Sequence, residues 1–318
     1  MIDYKIFSIN NSGLSNRIAE SLSTNLGRLK IDTFSDGEMS PQFGESVREK
    51  RLFLICTTFG PTEIIKLLLS LDAAKRASAR EVIAILPYYG YSRQDRKEGP
   101  RGAIGARLMA DLIQTAGADR LICLDLHADQ IQGFFNGPLN LIPGHIVFSS
   151  FLKNLPPAQY AICSPDAGGV KRATKFYQQF LKQFPDATFA MLSKLRDKPN
   201  SIERMDLIGD VKDRHVIIID DMIDTGGTLI KAAELLKNGE AVSVSACITH
   251  GVLSGQGHSR IMMSEHLDKL IISDSIEQEI VNHKIEVVSC ASAIAATIDA
   301  ITSSTSLEEA LERLLITE

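Results

Sequence analysis

Nine short apolar runs, rich in β-branched residues, alternate along the chain with longer amphipathic segments, and this alternation constrains the fold more than any other feature. The runs are KIFSIN (5–10), RLFLICTT (51–58), EVIAILPY (81–88), RLICLDL (120–126), YAICSPD (160–166), ATFAMLSK (187–194), HVIIIDD (215–221), VSVSACIT (242–249) and KLIISDS (269–275). Most are apolar throughout, as in parallel strands covered on both faces. Between them EIIKLLLSLDAAKRA (63–77), GARLMADLIQTAG (105–117) and TLIKAAELLKNG (228–239) have helical spacing, and the last two stop at glycine. Repeated strand–helix order requires right-handed crossovers, so the expected class is α/β with doubly wound, mainly parallel sheets.

A length of 318 residues suits two such domains. The pattern of strand, polar turn and helix recurs on both sides of a stretch containing Pro138, Pro143, Pro156 and Pro157. The expected boundary lies near residue 145, giving domains 1–145 and 146–318, with the final LEEALERLL helix free to pack on either. A net charge of −5 argues against coating nucleic acid, which needs a basic surface. No apolar run reaches the roughly 18–20 residues that cross a bilayer. Five widely spaced cysteines, Cys56, Cys123, Cys163, Cys247 and Cys290, sit mostly inside apolar runs and form no zinc motif. They read as buried free thiols of a cytoplasmic protein.

In open α/β sheets chemistry gathers beyond the carboxyl ends of the strands. The most informative such end is VIIIDDMIDTGGT (216–228), where Asp220 and Asp221 close a buried run and Asp224, Thr225, Gly226, Gly227 and Thr228 lead into a helix. Backbone N–H groups of such a turn, with the positive end of the helix, cradle a phosphate. Asp224 as a helix cap and the glycines as a plain turn account for DTGGT equally well. They leave Asp220 and Asp221 unexplained, because paired carboxylates repel unless hydroxyls or a cation occupy them. A sugar phosphate with vicinal hydroxyls satisfies both halves, and a pentose phosphate fits.

Other strand ends carry their own signals. PYYGYSRQDRK (87–97) is either a solvated loop or, with Arg93 and Gln94, a site for a polyphosphate and a base. FSDGE (34–38) is either a surface turn around Gly37 or an extended segment whose Asp36 and Glu38 accept from an exocyclic amine while Phe34 stacks on the ring. DLHADQIQGFF (125–135) sets His127 beyond a strand, and SPDAGGVKRA (164–173) sets Asp166 there before Gly168 and Gly169. A carboxylate in that place holds a divalent cation or merely turns the chain. A histidine beside it leaves manganese as open as magnesium. In SKLRDKP (193–199), Lys194 and Arg196 are either ordinary loop charges or cations that close over transferring phosphates.

DDMIDTGGT resembles the 5-phosphoribosyl diphosphate motif shared by phosphoribosyltransferases and ribose-phosphate diphosphokinases. Taken with FSDGE, RASA (76–79), PYYGYSRQDRK, DLHADQIQGFF, SPDAGGVKRA and SKLR, the chain from about residue 5 to VLSG (252–255) is similar to the diphosphokinase family. A phosphoribosyltransferase would lack RQDRK and QIQGFF, and a non-catalytic relative would have lost the loop cations or metal residues. The resemblance implies two domains, each like a type I phosphoribosyltransferase, the first on the ATP side and the second binding ribose 5-phosphate. It also implies transfer of the β,γ-diphosphoryl group of ATP to the C1 hydroxyl of ribose 5-phosphate, with Mg²⁺.

Carried onto matching positions, Phe34, Asp36, Gly37 and Glu38 would hold adenine across a subunit interface, and Arg93 and Gln94 would contact ATP. His127 and Asp166 would attend the metal. Asp220 and Asp221 would face the ribose hydroxyls, Asp224, Thr225, Gly226, Gly227 and Thr228 would cradle the 5-phosphate, and Lys194 and Arg196 would be the catalytic cations, Arg196 also meeting ribose 5-phosphate. A homo-oligomer is implied, at least a dimer and in the family's form a hexamer. The chain departs from the family at Glu49, Lys50, Arg51, Cys56, Thr57 and Thr58, and at EGPRGAIG (98–105). Those regions contribute to an allosteric phosphate and ADP site in many members, so that regulation is not carried over.

Overall fold

The computed structural model describes residues 3–195, 204–278 and 282–316. By contact the chain divides into one unit of residues 1–146, 275–277 and 289–318 and another of residues 147–274 and 278–288.

In the first unit, β1 (Tyr4–Ser8), β4 (Arg51–Ile55), β5 (Glu81–Leu86), β6 (Arg120–Leu124) and β7 (Leu139–Ile142) form a parallel sheet in that spatial order. Leu52, Leu54, Val82, Ala84, Leu121 and Cys123 pack with Leu67, Leu71 and Ala74 of α2 (Pro61–Arg76) and Ala106, Ala110 and Ile113 of α3 (Gly105–Ala116). The alternate residues Ile6, Phe53, Ile55, Ile83, Ile85 and Ile122 are buried too. The crossovers that carry α2 and α3 lie on one face of this sheet. The other face needs separate cover, and α1 (Ser12–Ser21) with α9 (Ala291–Ser303), which touch each other, supplies it; α9 also meets β7 and α10 (Leu307–Ile316). Burial on both faces is why these strands read as unbroken apolar runs.

Between α1 and β4 the chain makes an antiparallel hairpin of β2 (Leu29–Thr33) and β3 (Met39–Phe43). Neither strand carries an apolar run, so the periodicity did not reveal them.

The second unit holds a seven-stranded sheet in the order β10-β9-β8-β11-β12-β13-β14. Its strands are β8 (Tyr160–Ser164), β9 (Thr188–Leu195), β10 (Arg204–Ile208), β11 (His215–Ile223), β12 (Ser243–Gly251), β13 (Lys269–Ser273) and β14 (Ile285–Val288). All pairs are parallel except β9 with β10. From β8 the chain steps outward through α6 (Val170–Phe180) to β9 and β10, then returns to place β11 on the other side of β8. The order reverses between β8 and β11, and a crevice opens at such a switch point beyond the strands' carboxyl ends.

Beyond β11 lie α7 (Gly227–Asn238) and, after β12, the short α8 (Gly257–Met263); α4 (Gly144–Val147) and α5 (Ser149–Lys153) precede β8. The five cysteines are all buried and none is in a disulfide. Among the described residues no helix is long and apolar enough to cross a membrane.

Candidate functional site

The switch point of the second unit collects the strongest motif residues. Asp220 and Asp221 lie inside β11, which runs on to Ile223. The sequence reading ended the strand at Asp221; pairing with β12 as far as Gly251 carries it two residues further. Asp221 is 4% exposed, and its N–H donates to Asp220 Oδ1 at 2.9 Å. Arg172, on α6, sets its guanidinium 3.8 Å from Asp220 and 3.5 Å from Asp221. Burial, followed by the neighbouring Asp221 charge, pushes the Asp220 carboxyl well above its ordinary value, and Arg172 opposes the shift. Two carboxylates held this close with one guanidinium between them form a site short of positive charge.

Asp166 follows β8, the strand paired with β11. Its Oδ1 accepts from Gly169 N at 2.9 Å, and Ser164 Oγ donates to its carbonyl at 2.7 Å, so the residue shapes the turn into α6. Asp166 and the Asp220–Asp221 pair therefore border one crevice. Among the described residues no three or more His, Cys, Asp or Glu side chains converge as a self-sufficient metal cluster. The oxygen pair on β11 does fit a hard divalent cation of the kind that fills most of its shell with water and substrate oxygens.

After Ile223 the chain turns through Asp224 and Thr225 to Gly226, which has φ 77° in the left-handed region, before α7 starts at Gly227. Glycine adopts that φ freely and leaves the N-terminus of α7 bare of side chains. Thr225 and Thr228 are exposed beside it. Helix dipole, free N–H groups and two hydroxyls make an anion cradle.

In β9, Lys194 pairs through its backbone with Met205 of β10. Arg196 lies outside the described residues. The antiparallel β10 was not expected from the sequence.

The first unit sets its motifs at the carboxyl edge of its own sheet and on the hairpin. FSDGE is the hairpin turn: Gly37 has φ 92°, Phe34 N donates to Glu38 O at 2.8 Å, and Glu38 N donates to Asp36 Oδ1 at 3.1 Å. The backbone of the segment is thus a turn and not extended, and it carries Asp36 and Glu38 together. Asp36 and Glu38 are exposed with it, and Phe34 is 57% exposed, an unusual setting for an aromatic ring. Arg93 and Gln94 lie in the loop after β5, and His127 lies beyond β6, its ring exposed. The two loops are joined by Gln130 Nε2, which donates to Asp95 Oδ2 at 2.7 Å. Ala106 N, in the first turn of α3, donates to the Gln94 carbonyl at 3.1 Å.

Two cationic residues escaped sequence reasoning. Arg172 was passed over because the carboxylate and glycines of its own motif carried the signal, and its partners lie about fifty residues on. Arg260, on α8, donates through Nη1 to the Thr225 carbonyl at 3.3 Å. Nothing in the spacing of SGQGHSRI points to a loop more than thirty residues away.

Residues 4–117 match the family described as the N-terminal domain of ribose phosphate pyrophosphokinase, and residues 146–290 match the phosphoribosyl transferase domain. The chain is 46% identical over 279 residues to a ribose-phosphate pyrophosphokinase of Campylobacter jejuni, covering 87% of this chain and 88% of that one. To the ribose-phosphate pyrophosphokinase of Porphyromonas gingivalis it is 41% identical over 308 residues, 96% of each chain. The crystal structure of phosphoribosylpyrophosphate synthetase from Mycobacterium smegmatis superposes with a TM-score of 0.85 at 32% identity, over 95% of this chain and 99% of that one. Fold, switch-point carboxylates and anion cradle together define a protein of phosphoribosyl chemistry with two α/β domains. The chain belongs to the ribose-phosphate pyrophosphokinase family.

Proposed function

We propose that this chain transfers the β,γ-diphosphoryl group of ATP to the C1 hydroxyl of ribose 5-phosphate, giving 5-phosphoribosyl 1-diphosphate and AMP for nucleotide synthesis. The observation that carries the reading is the placement of Asp220, Asp221 and the Asp224–Thr228 cradle at one strand end, in a chain that matches named ribose-phosphate pyrophosphokinases along nearly its full length. The cradle takes the 5-phosphate, and the carboxylate pair three and four residues before it faces the ribose hydroxyls. That orientation fixes the C1 hydroxyl oxygen for in-line attack on the β-phosphorus, the bond from that phosphorus to the oxygen of AMP breaking as AMP leaves.

In this reading Phe34, Asp36, Gly37 and Glu38 hold the adenine, and the guanidinium of Arg93 and the amide of Gln94 meet the rest of ATP. Lys194 and Arg196 neutralise charge on the transferring group. His127 and Asp166 are the residues assigned to Mg²⁺ on the nucleotide. When bound, Mg²⁺ offsets phosphate charge and helps orient the polyphosphate. No side-chain nucleophile is needed, which leaves the buried thiols without a part in the reaction. Those thiols suit a reducing compartment, and the reading places the enzyme in the cytoplasm.

The test is direct. Folded protein mixed with ribose 5-phosphate, ATP and Mg²⁺ yields AMP in step with 5-phosphoribosyl diphosphate, followed by chromatography. Absence of AMP, or release of ADP in its place, overturns the proposal.

A further inference from the structure

The segment that follows β12 and enters α8, residues 252–260, is assigned no part in the reaction above, yet it is wired to the entrance of the phosphate cradle. Val252 N and Leu253 N both donate to the Ile223 carbonyl, at 2.9 and 3.1 Å. Ser254 Oγ donates to Asp224 Oδ1. Arg260 Nη1 donates to the Thr225 carbonyl at 3.3 Å. Three consecutive residues of the cradle's entrance, Ile223, Asp224 and Thr225, are each held by this one segment.

Packing closes the same contact. A Cβ at Gly257 would lie 2.5 Å from the Asp224 carbonyl oxygen, and one at Gly226 would lie 3.3 Å from Ile261 Cδ1. At Gly257 backbone therefore meets backbone with no side chain between, while Gly226 makes room for the Ile261 side chain. Leu253 at φ 47° and Gly255 at φ 58° give the segment the tight turn that brings Ser254 and Gly257 onto the cradle.

Charge gives the arrangement its sense. Residues 224–228 hold one carboxylate and no lysine or arginine, so the cradle has no side-chain cation of its own for a phosphate dianion. Arg260 brings one: the space where a Cβ on Gly227 would stand is 4.0 Å from its Nη1. A guanidinium carries five N–H donors in a fixed fork, and the bond to Thr225 engages only one nitrogen.

We propose that residues 252–260 form a brace for the 5-phosphate cradle, with Ser254 and Arg260 as positioning residues. Ser254 satisfies the Asp224 carboxylate and keeps it turned away from the incoming phosphate. Arg260 fixes the Thr225 peptide and sets a positive charge at the cradle's rim. This rests on the proposed function, and the experiment separates the two.

The measurement is steady-state AMP formation by the full-length enzyme and its Arg260→Met, Arg260→Lys and Ser254→Ala variants, with ribose 5-phosphate and ATP varied in turn. Ribose 5-phosphate binding is measured alongside by calorimetry, and thermal unfolding verifies the fold. Arg260 is exposed, so its variants are expected to fold. Loss of a charge-assisted contact predicts a KM for ribose 5-phosphate raised roughly tenfold or more in Arg260→Met. KM for ATP stays unchanged, Arg260→Lys recovers part of the loss, and Ser254→Ala shows a smaller rise of the same kind. If the unaltered enzyme makes no AMP, the proposed function fails. If it makes AMP and folded Arg260→Met and Ser254→Ala bind ribose 5-phosphate as it does, the brace is refuted. Equal rises in KM for both substrates refute it as well.

Discussion

Asp220 shows what one residue contributes to both stability and chemistry. Its folded carboxyl titrates above the ordinary value, first through burial and then through the Asp221 charge. For an acid raised in this way, stability is fully present below the unfolded pKa and falls as pH rises through the folded one. Asp220→Asn cannot ionise, so in metal-free protein its melting temperature exceeds that of the unaltered chain at neutral pH, and the gap closes as pH falls toward the ordinary carboxylate range. Thermal unfolding at a series of pH values checks this, and the same variant loses affinity for ribose 5-phosphate in calorimetry. Lys194→Ala belongs to the same scale: removing the cation that the proposed function assigns to the transferring group lowers turnover about a hundredfold or more, read as AMP formation under saturating substrates. The acidic residues of this site were legible in the sequence because carboxylates closing an apolar run have no structural motive. Arg172 and Arg260 were not, since their meaning lies in partners that only the folded chain brings near.

Among the elements, the long parallel strands were readable because burial on both faces leaves a continuous apolar run. The β2–β3 hairpin and the antiparallel β10 carry mixed polar sequences, MSPQF and RMDLI among them, and periodicity had nothing to register. The strand reversal at β8 and β11, which places the crevice, is a property of pairing order and no local pattern encodes it. The CTT stretch after β4, noted in the sequence only as a departure from its family, has a defined structural part. Thr58, 3% exposed, donates through Oγ1 to the Tyr88 carbonyl at 2.7 Å and accepts from Gly90 N at 2.8 Å. A Cβ on Gly90 would lie 2.3 Å from the Thr58 carbonyl, so the turn that launches the Arg93–Gln94 loop is seated on this residue. Thr58→Val keeps the shape and the bond from the residue-58 N–H to the Tyr88 carbonyl, but takes the acceptor from the buried Gly90 N–H, a cost of about 1–3 kcal/mol. The expected result is a lower melting temperature and a raised KM for ATP, with KM for ribose 5-phosphate unchanged.

For the whole molecule, the assignment of adenine to a hairpin turn completed by a second subunit requires an active species no smaller than a dimer. Light scattering at assay concentrations measures this, and full activity at monomer mass contradicts it. The cysteines offer a second reading at this scale. Burial pushes the Cys163 thiol up to about 12, and Cys56, Cys123 and Cys247 are raised further. Thiolate is the reactive form, so a maleimide leaves the native protein unlabelled and active, and mass spectrometry finds these four sites labelled only once denaturant opens the cores. Chain order bears on how those cores close. Residues 289–318 group with the first unit, where Arg17 Nε donates to Ser289 Oγ at 3.2 Å and Arg51 Nη1 to the Ile301 carbonyl at 3.1 Å. A ribosome delivers the chain from its first residue, so the unit that begins first acquires its last helices only after the entire second unit has been made. The nascent first sheet waits with the face destined for α9 uncovered, and a chaperone that shields apolar surface would find its longest-lived target there.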